Sequence, residues 1–161
     1  MNARLYLETT IPSYLAGWPS RNALVAAHQQ VTREWWETRR QIDLYVSELV
    51  LTEARAGDAQ IARNRLALLA GLPLLPVTGE ILEMAEELMA KGPIPRKAVR
   101  DATHIATAAV CACEYLLTWN CRHIANAELY SRIRRVVERY GYLVPILCTP
   151  AQLMGGGRHG G

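Results

Sequence analysis

No apolar run in this chain approaches the roughly 20 residues needed to cross a bilayer, so no membrane-spanning helix is expected. Nor does the N-terminus offer a basic and then apolar signal segment; it starts directly on a strand-like run, and we expect a cytosolic protein. Cysteine is sparse. Cys111, Cys113, Cys121 and Cys148 lack the paired C-x-x-C spacing of a structural zinc site, and zinc through Cys121 and His123 has no companion pair, so free buried thiols are expected. Three enzyme classes of open α/β sheets lack their signatures: the dinucleotide-binding glycine fingerprint, the Asp-x-Asp of a haloacid-type phosphatase after the first strand, and the phosphorylatable Asp of a receiver domain after the third, where Val77-Thr78 stands. Charge of one sign does not dominate either. A net charge of +3 permits a polyanionic partner without demanding one.

What is present is alternation. Strand-like runs at Arg4 to Glu8, Ile42 to Ser47, Leu74 to Val77, Tyr115 to Trp119 and Val144 to Leu147 are separated by helical patterns, the organisation of a largely parallel sheet. Pro12 suits the first turn of a short helix, and Ala23 to Arg40 carries Leu24, Ala27, Val31 and Trp35 at helical spacing. Ser47 is positioned to cap a helix through Ala56, Asp58 another to Ala70, and Asn126 a later one that Gly141 closes. Between them, Thr78 to Lys91 has Ile81, Met84, Ala85 and Leu88 on one face, Gly92-Pro93-Ile94-Pro95 breaks the pattern, and an Ala-rich helix runs from about Arg96 to Ala112. With half of its 161 residues hydrophobic, the chain suits one α/β domain over residues 1–154, followed by a disordered Gly-rich tail, 155–161.

Glu8 and Asn120 end strand-like runs, while Glu53 and Asp101 sit in helices, Asp101 near the start of its own. Side chains at the carboxyl ends of parallel strands lie where open α/β sheets gather their ligands. Several carboxylates there repel one another unless a divalent cation joins them. Each residue also has an ordinary role. Glu53 suits a solvated helix face and has a rival in Glu48; Asp101 suits a helix N-terminus, where a negative charge contributes roughly 0.3–1 kcal/mol; Asn120 suits a loop. Lys91, Arg96, Lys97 and Arg100 crowd the approach to Asp101, and Arg132, Arg134, Arg135 and Arg139 stud a later helix that suits bulk solvent equally well.

Four segments in order, Tyr6-Leu7-Glu8-Thr9-Thr10, Ser47-Glu48-Leu49-Val50-Leu51-Thr52-Glu53, Asp101-Ala102-Thr103-His104-Ile105-Ala106-Thr107-Ala108 and Leu116-Leu117-Thr118-Trp119-Asn120, resemble the motifs of PIN domains, most closely the toxins of the VapC type. The resemblance spans Leu5 to about Pro150. It implies a three-layer α/β/α sandwich around a mostly parallel sheet of about five strands, Mg²⁺ or Mn²⁺ as cofactor, and endonucleolytic hydrolysis of RNA by the toxin half of a toxin and antitoxin pair. The partners it implies are an RNA substrate, a small antitoxin and a second copy of the chain in a homodimer.

On the same resemblance, Glu8, Glu53, Asp101 and Asn120 are the catalytic set, with Glu8, Glu53 and Asp101 as metal ligands. Asn120 is a neutral oxygen donor or a hydrogen-bonding partner, and Thr10 holds a phosphate or a ligand carboxylate. Arg100, His104 and His123 extend the substrate-binding set. His104 shares a helix face with Asp101 and so reaches the rim, although a buried structural histidine is also natural there. Trp119 offers a stacking surface for unpaired bases, whereas Trp35 is expected in the core. The chain departs from the family pattern where Glu8 replaces an Asp and Asn120 an acidic residue. These changes favour one firmly held metal over two, and leave open a weakened module that binds RNA without cleaving it.

Overall fold

The computed structural model describes residues 1–155 of the chain. Five strands, β1 (Ala3–Leu7), β2 (Ile42–Ser47), β3 (Leu74–Leu75), β4 (Tyr115–Leu117) and β5 (Ile146–Cys148), form a single sheet in the order β3-β2-β1-β4-β5. All four pairings are parallel. Leu5, Tyr6 and Leu7 of the central strand are fully buried in succession, as a strand covered on both faces requires.

The helices are α1 (Thr10–Ala16), α2 (Ala23–Thr38), α3 (Glu48–Ala54), α4 (Ala59–Leu69), α5 (Gly79–Ala90), α6 (Val99–Val110), α7 (Ala127–Arg139) and α8 (Pro150–Gly155). They pack in two groups: α5 lies against both α6 and α7, while α2 lies against α1 and α8. Where α6 packs on α5, the small side chains Ala102, Ala106 and Ala109 of α6 and Ile81, Met84, Ala85 and Leu88 of α5 are buried. This is the expected α/β/α architecture. Among the described residues, no helix is long and apolar enough to cross a membrane.

Side-chain caps start the helices where the sequence offers them. Ser47 accepts from Val50 N–H, Asp58 from Ile61 N–H and Asn126 from Glu128 N–H, each satisfying a backbone donor that the first turn leaves open. Gly57 follows α3 at φ +83°, a left-handed conformation that disfavours any side chain with a Cβ. Trp35 is in the core, as its spacing implied.

Several boundaries differ from expectation, for local reasons. The third strand has two residues instead of four because Pro76 offers no N–H to continue the ladder, and β5 starts after Pro145 for the same reason. The helix expected from Arg96 opens as a 3₁₀ turn, Arg96–Ala98, before α6. β4 stops at Leu117, two residues early: the Thr118 hydroxyl accepts from Asn120 N–H and the Thr10 hydroxyl from Trp119 N–H, drawing the chain out of the sheet. Gly155, assigned to the tail, closes α8 instead, and residues 156–161 lie outside the described part of the chain. All four cysteines are free, but only Cys113 and Cys148 are buried; Cys111 is half-buried and Cys121 exposed. Burial pushes the Cys113 and Cys148 thiols up to about 11.

Candidate active site

The sheet order places a switch point between β1 and β4: from β1 the chain moves outward to β2 and β3, then returns to add β4 on the other side. Such a crevice, at the carboxyl ends of the strands, is where this architecture binds ligands. Glu8 leaves the end of β1 there and Trp119-Asn120 the end of β4, while α3 follows β2 and carries Glu53. α6 delivers Asp101 in its first turn.

The carboxylates fall into two connected groups. Glu8 is 4% exposed, and its Oε2 accepts the Thr10 backbone N–H at 2.6 Å. Glu53 Oε1 accepts the Thr9 hydroxyl at 2.8 Å and lies 2.6 Å from His104 Nε2. Asp101 Oδ2 lies 2.9 Å from His123 Nδ1, and the His123 backbone N–H donates to Asn120 Oδ1 at 3.0 Å. Asp101 and His104 are one turn apart on α6, which joins the groups.

Their electrostatics differ. Burial raises the Glu8 carboxyl above its usual range, and the nearby charge of Glu53 adds to that, against His104 and the Thr10 hydrogen bonds. Glu53 goes the other way. Burial is its largest single influence and acts upward, but the hydrogen bond and charge of His104, the Thr9 hydroxyl and the charge of Arg100 together hold it below the usual value.

A stability prediction follows from Glu8. A carboxyl whose folded pKa is raised stabilises the protein when protonated, and that contribution is lost as pH rises through the folded value. The metal-free Glu8→Gln variant, whose amide oxygen can still accept from Thr10, is therefore expected to melt above wild type at neutral pH. For a chain of this size the gain is about 2–4 °C per kcal/mol. The gap should close on acidification through the raised pKa; a gap that widens instead, in melting scans across pH, contradicts this reading.

The other expected site residues occupy distinct places. His104 is not at the rim: it is 1% exposed, with Nδ1 2.6 Å from the Tyr6 hydroxyl and Nε2 on Glu53, so it has no edge left for substrate. Trp119 is half-buried, stacked on His28 with centroids 4.0 Å apart, and donates its indole N–H to Thr32 at 2.7 Å, so one ring face is already covered. Thr10 holds Glu8 through its N–H and Trp119 through its hydroxyl. Arg100 is exposed and acts on Glu53 through its charge. Glu48 faces solvent, whereas Glu53 is held on two sides. Of the basic residues near Asp101, Lys91 pairs with Glu87 and Arg96 with Glu86.

Sequence reading assigned no site role to Tyr6, Thr9 or Ser47. Tyr6 could have been found: it is two residues before Glu8 and so on the same face of β1. Thr9 and Ser47 carry no comparable signal, because their hydroxyls acquire partners only through packing.

The donor chemistry suits a hard divalent ion. Each of the three carboxylates has one oxygen engaged by a protein donor, while Glu8 Oε1, Glu53 Oε2 and Asp101 Oδ1 have no side-chain or backbone partner among the described residues. Yet no group of three or more His, Cys, Asp or Glu side chains among the described residues stands ready to enclose a metal. These facts agree for an ion such as Mg²⁺, which is typically held by one or two carboxylates and completes its shell with water and substrate oxygens. They do not favour zinc, since among the described residues no third soft ligand joins Cys121 and His123.

A family model for the PIN domain matches residues 22–128, about two thirds of the chain, and the chain belongs to the PIN domain family. The matched segment contains Glu53, Asp101 and Asn120 and begins after β1 and Glu8. Among solved structures, VapC20 of Mycobacterium tuberculosis, a sarcin-ricin loop cleaving toxin, is similar in fold at 17% identity and a TM-score of 0.58, over 74% of this chain and 92% of that one. A toxin-antitoxin complex from Klebsiella pneumoniae gives 19% identity and a TM-score of 0.55, over 76% and 92%. VapBC2 from Rickettsia felis, bound to a DNA fragment from its promoter, gives 17% and 0.52, over 74% and 89%. No curated protein matches.

Proposed function

We propose that this PIN domain is a metal-dependent endoribonuclease and the toxin of a toxin and antitoxin pair. The observation that carries the reading is that Glu8 and Asn120 follow the neighbouring strands β1 and β4, while Glu53 of α3 meets His104 of α6 and Asp101, one turn earlier on α6, meets His123, each carboxylate keeping one oxygen without a partner among the described residues. Glu8 and Glu53, whose charges act on each other, would hold Mg²⁺ or Mn²⁺, with Asp101 adding negative charge to the same crevice and water and substrate oxygens completing the shell. Bound there, the ion supplies a water of lowered pKa and offsets charge developing on the phosphate. The Asn120 carbonyl oxygen is engaged by His123 N–H, which leaves its NH₂ group to donate to a phosphate oxygen. Arg100 and Lys97, both exposed and without a carboxylate partner among the described residues, would draw the RNA backbone toward the crevice.

The likeness to VapC20 supports RNA as the substrate, and the two toxin-antitoxin structures support a small protein partner. A basic side chain of that partner, set among the carboxylates, would occupy the place of the metal. Homodimerisation is part of the same reading. The lack of a ready three-residue metal group among the described residues favours a second reading, a module that binds RNA without cutting it.

Incubating purified protein with a mixed RNA pool tests both. Cleavage is expected with Mg²⁺ or Mn²⁺, absent with a chelator, and absent in Asp101→Asn. Salt-sensitive RNA binding with no cleavage under any metal condition would select the second reading.

A further inference from the structure

Beneath Glu53 lies a closed loop of hydrogen bonds. The Tyr6 hydroxyl is 2.8 Å from Ser47 Oγ and 2.6 Å from His104 Nδ1, and His104 Nε2 is 2.6 Å from Glu53 Oε1. Ser47 Oγ in turn accepts the Val50 N–H at 3.3 Å, capping the helix α3 that carries Glu53. The loop therefore returns to its starting point: the residue that begins α3 is tied, through a strand and a second helix, to the carboxylate near the end of α3. Neutral and charged imidazole both preserve these contacts. Either form donates its Nε2 proton to Glu53, and only the two hydroxyl hydrogens change direction.

Packing alone does not call for this arrangement. Tyr6, Ser47 and His104 are essentially sealed from solvent, and a buried polar group costs stability unless it is hydrogen-bonded. Apolar side chains of similar volume would fill the same space without that demand. The only member reaching the crevice is Glu53. Three buried polar groups thus converge on one half-buried carboxylate, and together with Thr9 they fix its Oε1, leaving Oε2 to point elsewhere.

We propose that His104, Tyr6 and Ser47 are positioning residues that hold Glu53 in one orientation for the divalent ion. The proposal rests on the metal-dependent reading above but is testable apart from it. Tyr6→Phe, which removes a single oxygen, is expected to fold normally and to weaken Mn²⁺ binding about 10-fold; His104→Leu, which removes the donor to Glu53, about 100-fold. His104→Gln, whose amide N–H can still reach Glu53, should recover part of that loss. In cleavage assays kcat should fall while KM for RNA stays near wild type, because none of the three touches the substrate.

The decisive measurement needs no metal. In the metal-free protein the side-chain ¹³C carboxyl resonance of Glu53 is expected to be single and sharp, displaced in Tyr6→Phe, and broadened in His104→Leu. A Glu53 resonance identical in wild type and both variants overturns the positioning role whether or not the wild type binds Mn²⁺. A displaced resonance in a protein that binds no Mn²⁺ upholds the positioning of Glu53 and instead overturns the metal-dependent reading.

Discussion

Replacing Glu53 by Gln is expected to abolish metal-dependent RNA cleavage, a loss exceeding the about 10–100-fold typical of residues that only support a ligand. Gln has nearly the shape of Glu, and its amide oxygen can still accept from Thr9 and His104, so the change is one of charge. Two further readouts separate this from misfolding. Wild type should gain about 2.7 kcal/mol from Mn²⁺ at a hundredfold excess over Kd, roughly 5–10 °C in melting temperature, and the variant should gain almost nothing.

The second readout is the pH dependence of stability without metal. Because the folded pKa of Glu53 is held low, its ionised form stabilises the protein at neutral pH, and that contribution is lost as pH falls through the depressed value. Glu53→Gln should therefore melt below wild type at neutral pH and converge with it in acid, opposite to Glu8→Gln. A variant that cleaves RNA at the wild-type rate, or keeps the Mn²⁺ shift, would remove Glu53 from the metal site.

The largest effect on stability is expected from Leu116→Ala. Leu116 is fully buried on β4, paired with Tyr6 of β1 on one side and Leu147 of β5 on the other. Truncation there loses both the transfer free energy of the removed atoms and the packing around the cavity left behind, about 2–5 kcal/mol. Against a typical total of 5–15 kcal/mol that is a large share, equivalent to roughly 5–15 °C in melting temperature. The effect on the site should be indirect: β4 carries Thr118, Trp119 and Asn120 into the crevice, so a partly relaxed β4 would lower cleavage below its own melting transition. Chemical denaturation with the slope checked for two-state behaviour measures the first effect, and a melting point within 2 °C of wild type contradicts it.

Much of the architecture is legible before folding. The period of apolar residues separates strand from helix, and the caps at Ser47, Asp58 and Asn126 mark helix starts because a short polar side chain satisfies an open backbone donor wherever it stands. Strand lengths were less legible. The early ends of β3 and β4 arise differently: Pro76 was visible in the sequence, but the pull of Thr10 on Trp119 joins residues 109 apart.

The site divides in the same way. The chain's own order of residues is enough to place Glu8 after the first strand and Asp101 at a helix start, since both positions depend on local pattern. Tertiary structure alone decided that His104 is buried beneath Glu53 instead of lying at the rim, and that Trp119 has His28 against its ring. It also decided which oxygens of the three carboxylates are engaged. Periodicity tells which face of an element is covered; it does not tell which side chain from a distant element will meet it. Hydrogen bonds spanning 41, 51 and 98 residues form only when the sheet brings those segments together, and the orientation of each carboxylate depends on them.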